Sequence, residues 1–190
     1  MNTRDKLLLS TIDLVRRHGV AGTGIAAILE RSHVSRRSIY LIFPDGKAEL
    51  VQEATRVAGS LIDHQIATAL HQPTPQESLD TFIAGWKKVV AESDFAAGCP
   101  IAAAGLARSS EPDIADVAGE IFTRWREAIS RSLRDHGIAE ATAQALANTV
   151  LAAVEGAVMM AQAERSLTPL DDVHRQLDCL LRHHAEHAVK

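Results

Sequence analysis

The chain has 190 residues, of which 46% are apolar and 23% charged, and its net charge is −4; this is ordinary globular composition with enough length to bury a core, and it excludes global disorder. Two widely separated cysteines, Cys99 and Cys179, exclude a disulfide framework or a metal knuckle and fit reduced thiols in a cytoplasmic protein. The opening MNTRDKLLLS has no apolar run of signal-peptide length.

The elements read as consecutive helices, because no period-two alternation is sustained over a strand length. Leu8, Ile12 and Val15 line one face of a first helix from about Thr3 to His18, which Gly19 stops. A short second helix is predicted from Gly24 to Arg31 and a third from Ser35 to Phe43, followed by a Pro44-Asp45-Gly46 turn. A long helix from Lys47 to His71 carries Leu50, Ala54, Val57, Leu61 and Leu70 on one stripe, and Pro73 and Pro75 break it. The next helix runs from Gln76 to Ser93. A short one starts at Cys99-Pro100, since proline is favoured at a first helical position. Three more are predicted over Asp113–Asp135, Ala139–Glu164 and Leu170–Ala188. The stretch Ala141 to Ala163 is nearly apolar, but Asn148, Glu155 and Gln162 interrupt it, which favours a buried helix over a membrane span.

Charge is distributed unevenly along this series. Residues 1–50 hold eight Lys/Arg against five Asp/Glu, whereas the remainder holds twelve against nineteen. A basic head on an acidic body suits a head that meets a polyanion. The two short helices joined by Ser-His-Val make a helix-turn-helix, whose second helix enters a DNA major groove with its N-terminal side chains on base edges. Arg36 and Arg37 stand at that position, where a guanidinium fork matches guanine or clamps phosphate. Ser35 can cap the helix, with Ser38 one turn on. Thr23 could offer phosphate a hydroxyl and an N–H, Tyr40 a phenol and Lys47 an ammonium.

The run TGIAAILERSHVSRRSIYLIFPDGKAELV, Thr23 to Val51, resembles the N-terminal domain of TetR/AcrR-type transcriptional regulators. It has Thr23, Ile28, Val34-Ser35, Ile39-Tyr40, Phe43 and Gly46-Lys47 at the spacing of that family. Gly98 to Ala107 and Leu151 to Leu170 are similar to the LmrA/YxaF-like subgroup. The chain departs from the pattern at four places. His33 replaces a turn glycine, Leu29 a small alanine, Arg37 a frequent glycine, and Ile42 a frequent histidine or tyrosine.

The resemblance implies an all-α chain with a DNA-binding domain over 1–46 and a helical effector-binding and dimerisation domain over 47–190. It implies a homodimeric regulator, most often a repressor, released from a roughly palindromic double-stranded DNA operator by a small apolar or aromatic effector. Trp86, Phe95, Trp125 and Met160 are the expected cavity residues, with Glu155 as a polar contact. The last two long helices are expected to pair with their symmetry mates. Leu146, Val150, Ala153, Ala157 and Ala161 form one face, and Val173, Leu177, Leu180 and Leu181 the other. An all-helical binding protein or enzyme, with DNA binding secondary, is the alternative.

Other constellations carry less. Gly19 to Gly24, GVAGTG, lacks both the preceding strand and the Gly-Lys-Ser/Thr of a phosphate loop, and reads as a connector. His183 and His187 share a helix face as a metal pair would, or complement the dipole at a helix end. Cys99 at a helix start could sense electrophiles or fill a hinge. No nucleophile elbow occurs, and neither catalysis nor a cofactor or metal is expected.

Overall fold

The computed structural model describes residues 1–187, with side chains through residue 185. Nine helices are present among them: α1 Thr3–Gly22, α2 Ile25–Ser32, α3 Arg36–Ile42, α4 Lys47–Leu70, α5 Pro75–Glu92, α6 Pro100–Gly105, α7 Pro112–Asp135, α8 Glu140–Glu164 and α9 Thr168–His187. These agree with the all-helical expectation, with ends moved by a residue or two except at α1, which runs four residues past His18 to Gly22 across a kink at Gly19. The predicted continuation of the last helix to Ala188 lies outside the described residues.

The chain divides into two compact units, Met1–Leu61 with Cys99–Phe122, and Ile62–Gly98 with Thr123–Lys190. The first unit is larger than a boundary at residue 46 implies, because α6 packs on α1. Its core joins Leu7, Leu8 and Leu14 of α1 to Ile28, Ile39, Phe43, Leu50 and Ala54, so α1 to α3 and the start of α4 share one apolar centre. Leu29, bulkier than the family's alanine, stays half-buried at the edge of this cluster. Asn2 caps α1 in a reciprocal box with Asp5, and Gly19 leaves helical geometry at φ 69°, which is where the sequence predicted a stop. The α4 stripe holds for Leu50, Ala54 and Val57, but Leu61 is 49% exposed.

In the second unit α5, α8 and α9 pack together. Lys87 pairs with Asp171, and His174 Nε2 lies 2.6 Å from Asp80 Oδ1, tying α5 to α9. The hydrogen bond from Lys87 holds the Asp171 carboxyl below the usual carboxylate range. α8 is long and apolar enough to cross a membrane by length and composition, yet Ala143, Leu146, Ala147, Val150, Val154, Ala157 and Ala161 are buried within the protein. That burial corrects the expected dimer face: Leu146, Val150, Ala157 and Ala161 point into the protomer, as do Leu177 and Leu181 of α9. The face α8 leaves exposed carries Ala145, Thr149, Ala152, Met159 and Ala163, with no charged residue among them.

Candidate nucleic-acid interface

The first unit presents α3 as an exposed amphipathic helix. Ile39 is fully buried and anchors it, with Phe43 just beyond its end. Ser35 caps it, accepting from the Ser38 N–H at 3.2 Å, while the two hydroxyls lie 2.9 Å apart. The turn before it needs a left-handed residue, and His33 takes that conformation at φ 54° where the family pattern has glycine. With Ile39 inward, helical periodicity turns Arg36, Arg37, Tyr40 and Leu41 to solvent. Neither arginine makes an ion pair among the described residues, so two guanidinium charges stand uncompensated on one short helix. Several other arginines of this unit are neutralised: Arg4 pairs with Glu53 at 2.6 Å, and Arg17 and Arg31 both reach Asp13.

Two expected phosphate contacts sit differently. Thr23 is fully buried; its Oγ1 donates to the Gly19 carbonyl at 2.7 Å and its N–H to the Val20 carbonyl. Thr23 therefore closes the connector between α1 and α2 and has neither group to spare for phosphate. The exposed donors nearby are instead the first N–H groups of α2, whose N-cap is Gly24 and has no side-chain cap. Lys47 is half-buried, with Nζ 3.3 Å from the Val20 carbonyl, which fixes the ammonium beside the end of α1. Tyr40 packs its ring over Gly46. A Cβ there would come within 3.1 Å of Cε1, and at φ 69° a side chain would also be strained, so glycine serves the turn twice. Leu41, 70% exposed, was absent from the sequence-based set, although its place four residues after Arg37 puts it on the same face.

The expected effector residues do not gather in one place. Trp86 is buried at 7% exposure within the second unit, and Trp125 at 2% donates its Nε1 to Asp63 at 2.6 Å. Phe95 is half-buried in a left-handed loop position, with the Arg165 guanidinium 6.0 Å from its ring centre. Glu155 is half-buried on α8, and Met160 is 48% exposed, facing solvent rather than a cavity. None of these five lines the partly open apolar cavity of this unit, which lies between Ile66, Leu70, Leu79, Phe82, Ile129, Leu133 and Val150, although Trp125 borders a second, wider cleft with Asp63, His71 and Arg124. That cavity measures about 40 Å³, room for little more than one water molecule.

Among the described residues no three His, Cys, Asp or Glu side chains converge as a metal site would need, and the side chain of His187 lies outside them. Cys99 caps α6, its Sγ accepting from the Ala102 N–H at 3.5 Å, and is 5% exposed.

Residues 7–54 match the family described as bacterial regulatory proteins of the tetR family, and residues 75–176 match the LmrA/YxaF-like C-terminal domain of transcriptional regulators. An HTH-type transcriptional regulator of Mycobacterium tuberculosis (strain H37Rv) is 35% identical over 184 residues, 94% of this chain and 93% of that protein. The HTH-type transcriptional regulator LmrA of Bacillus subtilis is 27% identical, covering 95% and 97%. The fold matches a TetR regulatory protein from Rhodobacter sphaeroides with a TM-score of 0.84 at 20% identity, over 92% of this chain and 96% of that one. These matches and the helix-turn-helix place the chain in the TetR family of transcriptional regulators, which are not enzymes, with an LmrA/YxaF-like C-terminal domain.

Proposed function

We propose that the protein is a ligand-responsive repressor that binds a roughly palindromic operator as a cytoplasmic homodimer. The observation that carries this reading is α3. Its arginines are exposed and unpaired, and a buried Ile39 fixes which face they occupy. Arg36 and Arg37 would take guanine edges or phosphates, Tyr40, Ser35, Ser38 and Lys47 would position the duplex, and Leu41 would meet a thymine methyl group. The backbone N–H end of α2 would replace Thr23 as a phosphate contact.

Dimerisation would use the uncharged exposed face of α8, Ala145 to Ala163, with the half-buried Val173 and Leu180 of α9. Small residues there would permit close approach of the two copies across a twofold axis. The effector would occupy the apolar cavity of Phe82, Leu133 and Val150. Ligand pockets usually measure about 300–1,000 Å³, so a cavity near 40 Å³ must open to admit one. Opening would displace Ile66 and Leu70, and both belong to α4, the helix that begins at Lys47. One helix thus carries a residue of the DNA-facing surface and residues of the cavity wall, and ligand would favour a conformation poorly spaced for two half-sites.

A mobility shift with DNA flanking this gene's own start tests the reading. A sharp, salt-sensitive shift reversed by a small apolar molecule is expected. Weak association indifferent to sequence would overturn it and favour a ligand-binding protein.

A further inference from the structure

We propose that a groove between α7 and the start of α8 binds a compact oxyanion, the carboxylate or phosphate of a small molecule, at a site separate from the apolar cavity. Two polar rows form its walls. Arg126, Ser130 and Arg134 recur every four residues along α7, and Glu140, Gln144 and Asn148 do so along α8, so each set lies on one helical face. The space they enclose, with Glu127 and Arg131, is about 480 Å³.

One end of this groove is already neutral. Arg134 Nη1 donates to Glu140 Oε2 at 2.5 Å, and Gln144 Nε2 donates to Glu140 Oε1 at 2.6 Å. Farther along, Arg126 and Arg131 make no ion pair, and the Asn148 amide makes no hydrogen bond, among the described residues. Two guanidinium forks and an amide therefore face one cleft without an acceptor, and such forks fit planar or tetrahedral oxyanions.

Ser130 supplies an independent observation. It is 4% exposed, it lines the groove, and its Oγ has no hydrogen-bond partner. Many helical hydroxyls in this protein donate to the carbonyl four residues back, as Thr55 does to Val51 and Thr149 to Ala145, whereas Ser32 in the first unit is unpaired as Ser130 is. Ser130 does not, and a buried hydroxyl left unpaired is destabilising unless something accepts from it. An oxyanion held by Arg126 and Arg131 would be that acceptor. Glu127 and Glu140 beside them limit the ligand to a small one, because a long polyanion would be repelled.

The same carboxylate chemistry could come from an acidic side chain of a second copy, since Asn148 borders the exposed face of α8. Thermal unfolding of the full chain, with inorganic phosphate or succinate titrated against chloride at equal ionic strength, separates these sources when run beside sedimentation. Wild type should show a saturable rise in Tm with phosphate or succinate. Arg126→Gln/Arg131→Gln should weaken the half-saturating concentration at least tenfold, while Arg175→Gln should leave it unchanged. A general salt effect would act on all variants alike. Ser130→Ala should raise Tm without anion, having lost an unpaired hydroxyl, and should reduce the further rise with anion. Equal titrations in wild type and the double variant would overturn the proposal. So would a double variant that turns the protein monomeric while no anion stabilises wild type, because the row would then meet a second copy. Neither readout involves DNA, so the result stands apart from the operator reading.

Discussion

Val150→Ile adds one methylene to a side chain that lines the apolar cavity and is 6% exposed. At about 24 cal/mol per Å³, a cavity of about 40 Å³ leaves roughly 1 kcal/mol of packing unrealised. Burying one methylene contributes about 0.8 kcal/mol, so filling most of the space should stabilise the ligand-free protein by about 0.5–1 kcal/mol. For a chain of this size that is a rise of about 1–4 °C in Tm, and an increase in the urea midpoint without change of slope. The same methylene must be displaced before an effector enters, so effector affinity should fall while operator affinity without ligand is kept or rises. Urea titration of both proteins, followed by effector-dependent release of labelled operator, reads both effects. Destabilisation by more than about 1 kcal/mol would mean the site is already filled. Unchanged effector affinity alongside the expected stabilisation would refute the assignment of this cavity as the effector's entry.

Replacing Arg36 or Arg37 with alanine should cost about 1–3 kcal/mol of operator binding and relax preference at a single base pair, measured by anisotropy on single-substituted duplexes. Lys47→Gln should weaken all sequences alike and reduce the salt slope by about one, visible in log–log salt titrations. Exchanging thymine for deoxyuracil across the operator should weaken wild type at one position per half-site and leave Leu41→Ala indifferent there; equal losses in both would remove Leu41 from base reading. Ala152→Glu, on the uncharged face of α8, should shift sedimentation toward monomer by at least about 3 kcal/mol, since it buries an unpaired carboxylate. Asp171 is held below the ordinary carboxylate range by Lys87, so this pair contributes above about pH 4 and its contribution is lost as pH falls through the lowered value. Because the pair is substantially exposed, Asp171→Asn should cost no more than about 1 kcal/mol at pH 7 and less at pH 3, by urea titration.

Much of the fold was legible because local signals agreed with one another. Gly19 leaves the helix where predicted, Ser35 and Cys99 cap where their positions suggested, and Pro100 opens a helix, while Pro75, expected only to break α4, also opens α5. The exposed side of α3 was legible in part. A seven-residue helix with one buried isoleucine has its exposed side fixed by periodicity, yet Leu41, neither charged nor aromatic, carries no chemical signal of its own. The partner of Thr23 is not legible, because a threonine before a helix can accept from that helix or donate backward to the preceding turn. Only the position of the Gly19 carbonyl decides which.

The body was less legible for a different reason. A helix such as α8, apolar nearly all round, gives no sequence signal for which side faces its own protomer. The stripe chosen for dimer contact therefore proved to be the core stripe. The apolar cavity of the second unit illustrates the same limit. Trp125 finds a polar partner in Asp63, while the cavity lining is mostly aliphatic, from α4, α5, α7, α8 and α9, and no spacing along the chain brings it together.

Whether α3 reads DNA as one half of a symmetric pair can be read from selection of randomised duplexes by the purified protein. The predicted result is enrichment of an inverted repeat whose half-sites are centred about 34–36 Å apart, one helical turn, or a multiple of it. Arg36→Ala/Arg37→Ala should abolish that enrichment without loss of fold. Recovery of unrelated sequences by the wild-type protein, or of the same repeat by the double variant, would contradict the account.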